Sequence, residues 1–347
     1  MPLPTVKSLG LSNNILTGYA LDIANENRDY ITDMIPPINR ASGVDMADGN
    51  AFAGEIIRSK IDSFFLQTTD TANLEVAWGQ ELPMFKGVEL DPLSWRAKKF
   101  AIQGFIPREL YLVAEARRED NVRYCLGPVV EQVKQARELQ LINILKNWTN
   151  YTALTYDWTT SNGNPSGDIM NAISHVAKYK DPDTVILGYE AALACMGNVN
   201  WRAEMPHTMF RQGMPLDELA ETIRSRLAVK QVLIARARYN SSSNATPAID
   251  GMFGDRCWVG RLELQPDDSS GGNHQLDRSY KMAQGAIAQN GTSFLVRSSA
   301  FVRIVPEDIR CDAWYKDSDQ SVHFSCSCHQ DVEVAYAQLG YLLTNCA

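Results

Sequence analysis

The sequence predicts a mixed α+β protein, in which a long helix and a compact α/β unit are combined with segments that are mostly β. Three observations support this class. A run that starts at Pro128 carries apolar residues at helical spacing for about twenty residues. Residues 165–265 alternate helical stripes with short apolar strands. Residues 61–106 and 266–347 contain strand patterns separated by turn residues.

Composition and charge exclude several classes of protein. Of the 347 residues, 45% are hydrophobic and 21% are charged, which excludes a disordered or fibrous chain. The 33 basic and 41 acidic side chains give a net charge of −8, which argues against a sequence-specific nucleic-acid binder. No apolar run approaches the roughly 18 residues that cross a bilayer. Residues 1–27 show no secretory signal, so we expect no membrane partner.

The chain has seven cysteines, an odd number scattered along its length rather than spaced as a disulfide framework. We therefore expect free thiols and synthesis in a reducing cytosol. The seven are Cys125, Cys195, Cys257, Cys311, Cys326, Cys328 and Cys346.

Residues 1–60 are predicted to form an irregular arm with short helical pieces, because Pro2, Pro4 and the Pro36-Pro37 pair interrupt any longer element. Such a segment buries little surface alone, so it should lie across its own body or across a neighbour.

Residues 61–106 are predicted to be a β-rich excursion. Their two best strand candidates are 78–85 and 95–106, separated by turns at Lys86-Gly87 and Asp91-Pro92. The second strand mixes aromatic and charged residues without a clean apolar face. A hairpin that buries neither face in its own core should make contacts outside it.

Pro107 should end this excursion, and a helical turn or two is expected over 108–120. In the long helix that follows, Pro128 is a suitable first-turn residue. An apolar stripe covers the first half, and apolar residues spread round the second half, which should be buried on more than one side. We expect Glu131, Lys134 and Glu138 to form surface pairs away from the stripe.

Residues 165–265 should form a helix over 169–176, a strand at 184–187, a helix at 189–196, a helix at 216–227 and strands at 231–239 and 257–264. In the last part, Asn290-Gly291 predicts a hairpin between 286–288 and 293–296. Short strands at 311–315, 321–328, 331–338 and 340–344 are expected to follow.

A search for catalytic signatures returns none of the common nucleophile, phosphate, dinucleotide or zinc-protease motifs. One cluster near the end, His323, Cys326, Cys328 and His329, has metal-ligand chemistry, with Cys311 as the only obvious additional ligand. Its spacing differs from the usual Cys-x2-Cys pairs, so small residues filling one face of a strand are the favoured interpretation.

The remaining titratable candidates have simpler explanations. The acid pairs Asp181 with Asp183 and Asp317 with Asp319 lie in turn-like stretches. His175 and His207 have no visible partner for the second ring nitrogen and are expected to be solvated. We therefore predict no catalytic, cofactor-binding or metal-binding residue, although a catalytic site can also assemble in space from scattered residues.

Six stretches, taken in order, carry a family resemblance. They are "WGQELPMFKGVELDPLSWRAKKFAIQGFIPREL", "DPDTVILGYEAALACMG", "LAVKQVLIARARYNSSS", "IDGMFGDRCWVGRLE", "VRIVPEDIRCDAWYKD" and "GYLLTN". Their order and spacing over nearly the whole chain resemble the major capsid proteins of tailed double-stranded DNA bacteriophages, which have the Hong Kong 97-type fold. The resemblance implies an N-terminal arm at 1–60, an extended loop at 61–106, a peripheral domain with a spine helix at 107–164, an axial domain at 165–265 and peripheral return strands at 266–347.

The resemblance also implies a function. The chain would be a structural protein of the virion with no enzymatic activity and no cofactor, assembling in the bacterial cytoplasm into pentamers and hexamers of an icosahedral shell. Its partners would be its own copies, the portal and separate scaffolding or decoration proteins, and the shell would enclose DNA without sequence-specific binding. Some relatives crosslink a loop Lys to an Asn; Lys86, Lys98, Lys99 and Asn345 have no supporting motif, so we expect no crosslink. The alternatives are an encapsulin-type nanocompartment and a cytosolic α/β enzyme.

Overall fold

The computed structural model describes residues 13–26, 30–35, 53–59, 90–107, 121–204, 215–242, 248–262, 293–296, 299–316 and 321–347. Several predicted features lie outside these ranges. They are the strand at 78–85, the turn at Lys86-Gly87, the helical turns at 108–120, His207, the Asn290-Gly291 turn with the strand at 286–288, and the pair Asp317 and Asp319.

The described residues contain both helices and strands, as predicted. The helices are α1 (Asn13–Glu26), α2 (Ile31–Met34), α3 (Asn121–Lys146), α4 (Pro165–Ala177), α5 (Tyr189–Gly197), α6 (Val199–Ala203) and α7 (Leu216–Leu227). The strands are β1 (Ala53–Ser59), β2 (Leu90–Arg96), β3 (Lys98–Pro107), β4 (Tyr151–Ala153), β5 (Thr184–Gly188), β6 (Gln231–Ala235), β7 (Arg238–Asn240), β8 (Ile249–Gly251), β9 (Cys257–Gly260), β10 (Ser293–Val296), β11 (Phe301–Lys316), β12 (Ser321–Val334) and β13 (Gly340–Thr344).

The α/β unit is built on a five-stranded sheet with the order β4-β13-β9-β5-β6. Strand β5 is buried along its whole length because its apolar run lies at the centre of this unit. Helix α4 buries Ile169, Ala172 and Val176 at helical spacing, as predicted. The sheet also takes in β13, which pairs with β9 of the 165–265 segment, and β4, which pairs with β13 at the edge of the sheet.

A second sheet, β11-β12-β3, is antiparallel throughout and lies against the long helix α3. Along β3, Phe100 and Ile102 pack into the core with Val130 of α3, while Lys99, Ala101 and Gln103 are exposed. The prediction that this segment buries neither face in its own core is therefore wrong for β3. The alternation of buried and exposed positions was not recognised in the sequence, because the consecutive lysines at the start of the strand lie on opposite faces.

Strands β11 and β12 are longer than predicted. Strand β12 runs without a break through His329 and Gln330, because both residues pair with β3. Strand β11 continues through Pro306 by means of register shifts between Ile304 and Glu307 and again before Arg310. A bulge accommodates a proline that has no N–H to donate to the ladder.

A third sheet, β10-β1-β2, joins the arm to the extended loop. Strands β1 and β2 are antiparallel and in continuous register from Ala53 with Arg96 to Ser59 with Leu90. Strand β10 lies parallel to β1 on its other side. The turn predicted at Asp91-Pro92 is wrong, because both residues belong to β2.

The long helix α3 starts at Asn121, seven residues before the predicted first turn, and includes Pro128 in its interior. Its 26 residues span about 39 Å. At its C-terminal end, Trp148 packs edge-on against Trp258 at 5.5 Å and against Phe301 at 6.5 Å. This aromatic cluster joins the long helix, the five-stranded sheet and β11 in one core. Among the helices of the described ranges, none is long and apolar enough to cross a membrane.

Candidate functional site

The N-terminal segment 30–35 lies on the long helix of its own chain, held by a fully buried acid. The carboxylate of Glu138 accepts hydrogen bonds from the backbone nitrogens of Ile31 at 3.0 Å and Thr32 at 2.9 Å. These two donors open helix α2, so Glu138 satisfies N–H groups that have no partner within that helix. Burial raises the pKa of Glu138, and the backbone hydrogen bonds from Thr32 and Ile31 oppose the shift.

Lys134, one turn earlier on α3, is 2% exposed and reaches the same segment. Its Nζ lies 2.7 Å from Asp33 Oδ2 and donates to the carbonyl of Ala24 at 2.6 Å. The same ammonium lies 4.9 Å from the centre of the Tyr30 ring, whose hydroxyl donates to Glu131. The prediction of surface pairs at Glu131, Lys134 and Glu138 is therefore wrong, since Lys134 and Glu138 are buried against the arm.

Two arginines complete this network from β11 and α3. Arg303 is 4% exposed and donates to the carbonyl of Ile35 at 2.8 Å and to Gln330 Oε1 at 2.9 Å. Burial, together with the nearby charge of Arg137, lowers the pKa of Arg303 to about 9. Arg137 pairs with Asp308 at 2.9 Å. Residues 30–35 are thus held at both ends by buried charged groups.

The paired strands β1 and β2 are also fastened to the body of the chain. Arg58 of β1 donates through Nε at 2.9 Å and Nη2 at 2.6 Å to Asp91 of β2, and through Nη1 to the carbonyl of Ala335 at 2.7 Å. Trp95 is 3% exposed, and the N–H of Arg96 donates to Asp331 at 2.8 Å. We call this paired base, residues 53–59 and 90–96, the loop stem. It brings the two ends of segment 60–89 together at one register pair, Ser59 with Leu90.

The outer face of the β11-β12-β3 sheet carries a row of aromatic side chains. Trp314, His323 and Phe105 are register partners across the three strands. His323 stacks between the other two rings, at 5.9 Å from Trp314 and 5.8 Å from Phe105. Phe105 is 60% exposed and Trp314 38%, so this aromatic row presents apolar surface to solvent.

The predicted cluster of cysteines and histidines is divided between the two faces of β12. Cys326 and Cys328 share the buried face towards α3, as the spacing predicted. His323 lies on the opposite face and contacts Gln103 and Ser321, each at 2.9 Å. His329 Nδ1 lies 3.0 Å from Glu307. Within the described ranges, no group of three or more potential ligands is placed to hold a metal ion.

Cys311 and Cys326 form a disulfide, so the expectation of free thiols throughout the chain is wrong for this pair. They are directly opposite in the β11–β12 ladder, with Cα atoms 4.3 Å apart. Antiparallel partners bring their Cα atoms this close at positions that are not hydrogen-bonded, which suits a cross-strand bond.

The other predicted residues have structural contacts. Asp183 is buried at the start of β5 and accepts from the N–H of Leu262 at 2.8 Å, whereas Asp181 is exposed.

His175 stacks on Tyr341 at 4.6 Å beside an open cavity of about 300 Å³ between α4 and β13. Asp168 of this cavity accepts from Trp158 Nε1 at 2.9 Å, and burial raises its pKa. Lys98, Lys99 and Asn345 are exposed.

No family model and no curated protein matches the sequence. The structure is similar to that of a phage-related protein from Bordetella bronchiseptica RB50, with a TM-score of 0.61 and 16% identity over 96% of this chain and 97% of that one. It is also similar to a virus-like particle protein from Pyrococcus furiosus, with a TM-score of 0.53 and 10% identity over 94% and 97% of the two chains. The α+β class, the order of elements and these full-length matches show that the chain has the Hong Kong 97-type fold of phage capsid proteins.

Proposed function

We propose that the protein is a major capsid protein, which assembles with its own copies into the pentamers and hexamers of an icosahedral shell around the double-stranded DNA of a tailed phage. The observation that carries this proposal is the fold match over 96% of this chain and 97% of the matched phage-related protein. The proposal assigns the chain no enzymatic reaction and no cofactor.

The loop stem supports an assembly role. The partly buried Arg96–Asp331 and Arg58–Ala335 hydrogen bonds fix its direction relative to the body. The register pair of Ser59 with Leu90 holds the two ends of segment 60–89 at one place on the body. Contacts between different surfaces of successive copies form closed rings when the rotation between copies closes. Many modest contacts then become a durable shell, because each later contact forms at high effective concentration.

The net charge of −8 is compatible with a container for DNA. A shell confines DNA without needing to attract it, and a strongly basic lining would bind the incoming phosphates. In this proposal the shell holds DNA without reading its sequence.

The proposal assigns roles to the segments as follows: arm 1–60, extended loop 61–106, peripheral domain 107–164 and 266–347, and axial domain 165–265. The pairing of β13 with β9, and of β4 with β13, favours counting 151–153 and 340–344 with the axial sheet. The portal and separate scaffolding or decoration proteins are the proposed further partners, with assembly in the bacterial cytoplasm and final location in the virion. We expect no crosslink, so particles boiled in detergent should release a 38.7 kDa chain.

A second candidate is a nanocompartment shell that encloses proteins instead of a genome. The similarity to a virus-like particle protein from Pyrococcus furiosus, at a TM-score of 0.53, favours keeping it. The two candidates differ in contents. Purified particles that contain co-purifying enzyme and no DNA after nuclease treatment would support the nanocompartment.

Electron microscopy and sedimentation of the expressed full-length chain test the proposal. We expect rings or megadalton particles, whereas a stable monomer or dimer would favour the α/β enzyme. A variant in which Asn-Gly replaces residues 60–89 closes the loop stem with a two-residue turn between Ser59 and Leu90. It should keep the circular dichroism spectrum of the natural chain and lose particle formation. Unchanged particle yield would contradict the proposed role of the loop.

A further inference from the structure

The disulfide between Cys311 and Cys326 is enclosed on every described side. Both cysteines are 0% exposed and lie in a cluster with Leu126, Val130 and Val133 of the long helix. On the edge of the sheet, helix α1 adds Ala20, which is also 0% exposed, to the same cluster. A reagent in solution therefore has no direct access to either sulfur atom.

Helix α1 is fastened to the backbone of one of these cysteines. The hydroxyl of Thr17 donates to the carbonyl of Cys311 at 3.2 Å and accepts from its N–H, also at 3.2 Å. Strand β11 is an edge strand of its sheet, so Thr17 occupies hydrogen-bonding groups that have no strand partner on that side. The same helix covers the disulfide and closes the open edge of its strand.

Neighbouring thiols are poor agents of exchange. Cys328 is buried on the same face of β12, and burial raises its pKa to about 11. Burial also raises the pKa of Cys125, which is partly exposed on α3. Because the thiolate is the attacking form, both side chains are protonated and slow to react at neutral pH. Exchange with a reagent from outside is the remaining route.

We propose that Cys311–Cys326 is a redox latch gated by helix α1: reductants open it, and small-molecule disulfides close it, only while residues 13–26 are lifted from β11. In closing, one cysteine thiolate attacks the small disulfide and releases one small thiolate. The second cysteine then attacks the mixed disulfide and releases the other. The two protons of the protein thiols pass to the two released small thiols, so atoms and electrons balance. In opening by a phosphine, phosphorus attacks one sulfur and releases the other cysteine as a thiolate. Water then displaces the first cysteine from phosphorus, which leaves a phosphine oxide and two protein thiols.

The latch links the state of the arm to the redox environment. A chain that folds in a reducing cytosol carries two thiols at these positions. After transfer to an oxidising medium it gains a covalent link between β11 and β12 beneath the arm helix. This inference goes beyond the shell assignment and does not depend on it, because every group involved belongs to one chain.

The test measures rates of reduction and closure by intact mass. Oxidised protein, alkylated after unfolding without reductant, should carry five modifications, one for each of the five free cysteines. The oxidised chain is then treated under native conditions with a phosphine reductant, alkylated after quenching and weighed. We expect Thr17→Val to speed reduction about fivefold or more, since it removes two hydrogen bonds that hold α1 down. Closure of the reduced protein by oxidised glutathione should accelerate similarly.

Two control variants on the same helix separate gating from general damage. Thr17→Ser keeps the hydroxyl and should react at a rate close to that of the natural chain. Asp22→Ala changes an exposed position on α1 and should leave both rates unchanged. Equal rates for Thr17→Val and Thr17→Ser would overturn the gate. Seven modifications on Thr17→Val after prolonged treatment with oxidised glutathione would overturn the latch itself.

Discussion

Glu138 Oε1 lies 3.0 Å from the backbone nitrogen of Ile31, so an acid on the long helix binds the start of a helix 107 residues earlier in the chain. Its other oxygen binds the next nitrogen, that of Thr32. A carboxylate that is 0% exposed and accepts two backbone donors links the arm to the core. Both hydrogen bonds lie within one chain, so residues 30–35 belong to the folded subunit.

Replacing Glu138 by Ala should destabilise the subunit. The change leaves two buried N–H groups without acceptors, and each such group costs about 1–3 kcal/mol. We expect the free energy of unfolding to fall by about 2–4 kcal/mol, measured by urea denaturation, with faster hydrogen exchange at 30–35. Glu138→Gln keeps one acceptor oxygen in a similar shape and should cost less.

The matched control is Glu221→Ala, at an exposed position on α7 whose side chain is 68% accessible. It should change the free energy of unfolding by less than about 0.5 kcal/mol. If Glu138→Ala were as stable as this control, the prediction would be wrong, because the N–H groups of Ile31 and Thr32 would then bind water without loss of unfolding free energy.

The pH dependence of Glu138 has a definite sign. Burial raises its pKa in the folded state, so between the unfolded and folded values the folded chain binds more protons than the unfolded chain. Its stabilising contribution is therefore present at low pH and is lost as the pH rises through the folded pKa. The stability of the natural chain relative to Glu138→Gln should decrease as the pH rises above the ordinary Glu pKa of about 4.3 in urea titrations. An increase over this range would contradict the assignment.

Asp308 should show the opposite dependence. Burial, the largest single influence, raises its pKa, but the charge of Arg137, the hydrogen bonds from Ile309 and Arg137 and the charge of Arg303 together outweigh burial, and the net shift is downward. Its contribution is then present above the unfolded pKa and is lost as the pH falls through the folded value. The stability difference between the natural chain and Asp308→Asn should be largest near neutral pH and shrink below about pH 4. The same urea series, extended to acid, measures it.

An element of this fold could be predicted from the sequence when its apolar residues follow a regular helical or strand spacing. Strand β5 is apolar at consecutive positions, and α4 and α7 carry regular stripes, so these three elements of the α/β unit were predicted, whereas the short elements α6 and β8 were not. The buried charges of α3 were missed. A signal was present, because a four-residue step from Val130 leads through Lys134 and Glu138 to Ile142, all of which are buried. Lys134 and Glu138 therefore lie on the buried face of the helix, in line with its apolar residues.

Other features depend on partners that are distant in the chain. The cysteines and histidines of β12 were grouped because they are close in sequence, yet strand alternation separates His329 from Cys328. The Cys311–Cys326 bond needs the register of two strands, which no local pattern specifies. Gln330 and Arg303 meet only because β11 pairs with β12, so the network around segment 30–35 was not predictable from local sequence.

The contact between β3 and the long helix depends on a glycine. A Cβ atom added at Gly104 would lie 2.6 Å from the ring of Phe324 and 3.1 Å from Val129. Gly104→Ala should therefore cost about 1–3 kcal/mol of unfolding free energy, because neither neighbour moves freely in the packed core. Gly127→Ala on α3 is the control. Its added Cβ meets nothing within 4 Å, so it should stabilise the helix by about 0.5–1 kcal/mol. Equal effects in thermal unfolding would contradict this packing.

The aromatic row should matter for assembly and not for folding of the subunit. Phe105 is 60% exposed and its described ring contact is with His323, so Phe105→Ser should lower the free energy of unfolding by no more than about 1.5 kcal/mol. If another copy covers the row in the shell, the same change removes apolar contact area there and should lower the particle yield in sedimentation. Lys99→Ser, on the same face of the same strand, leaves the row intact and serves as the control. Particle yields that are equal for Phe105→Ser and the natural chain would mean that this face stays open to solvent after assembly.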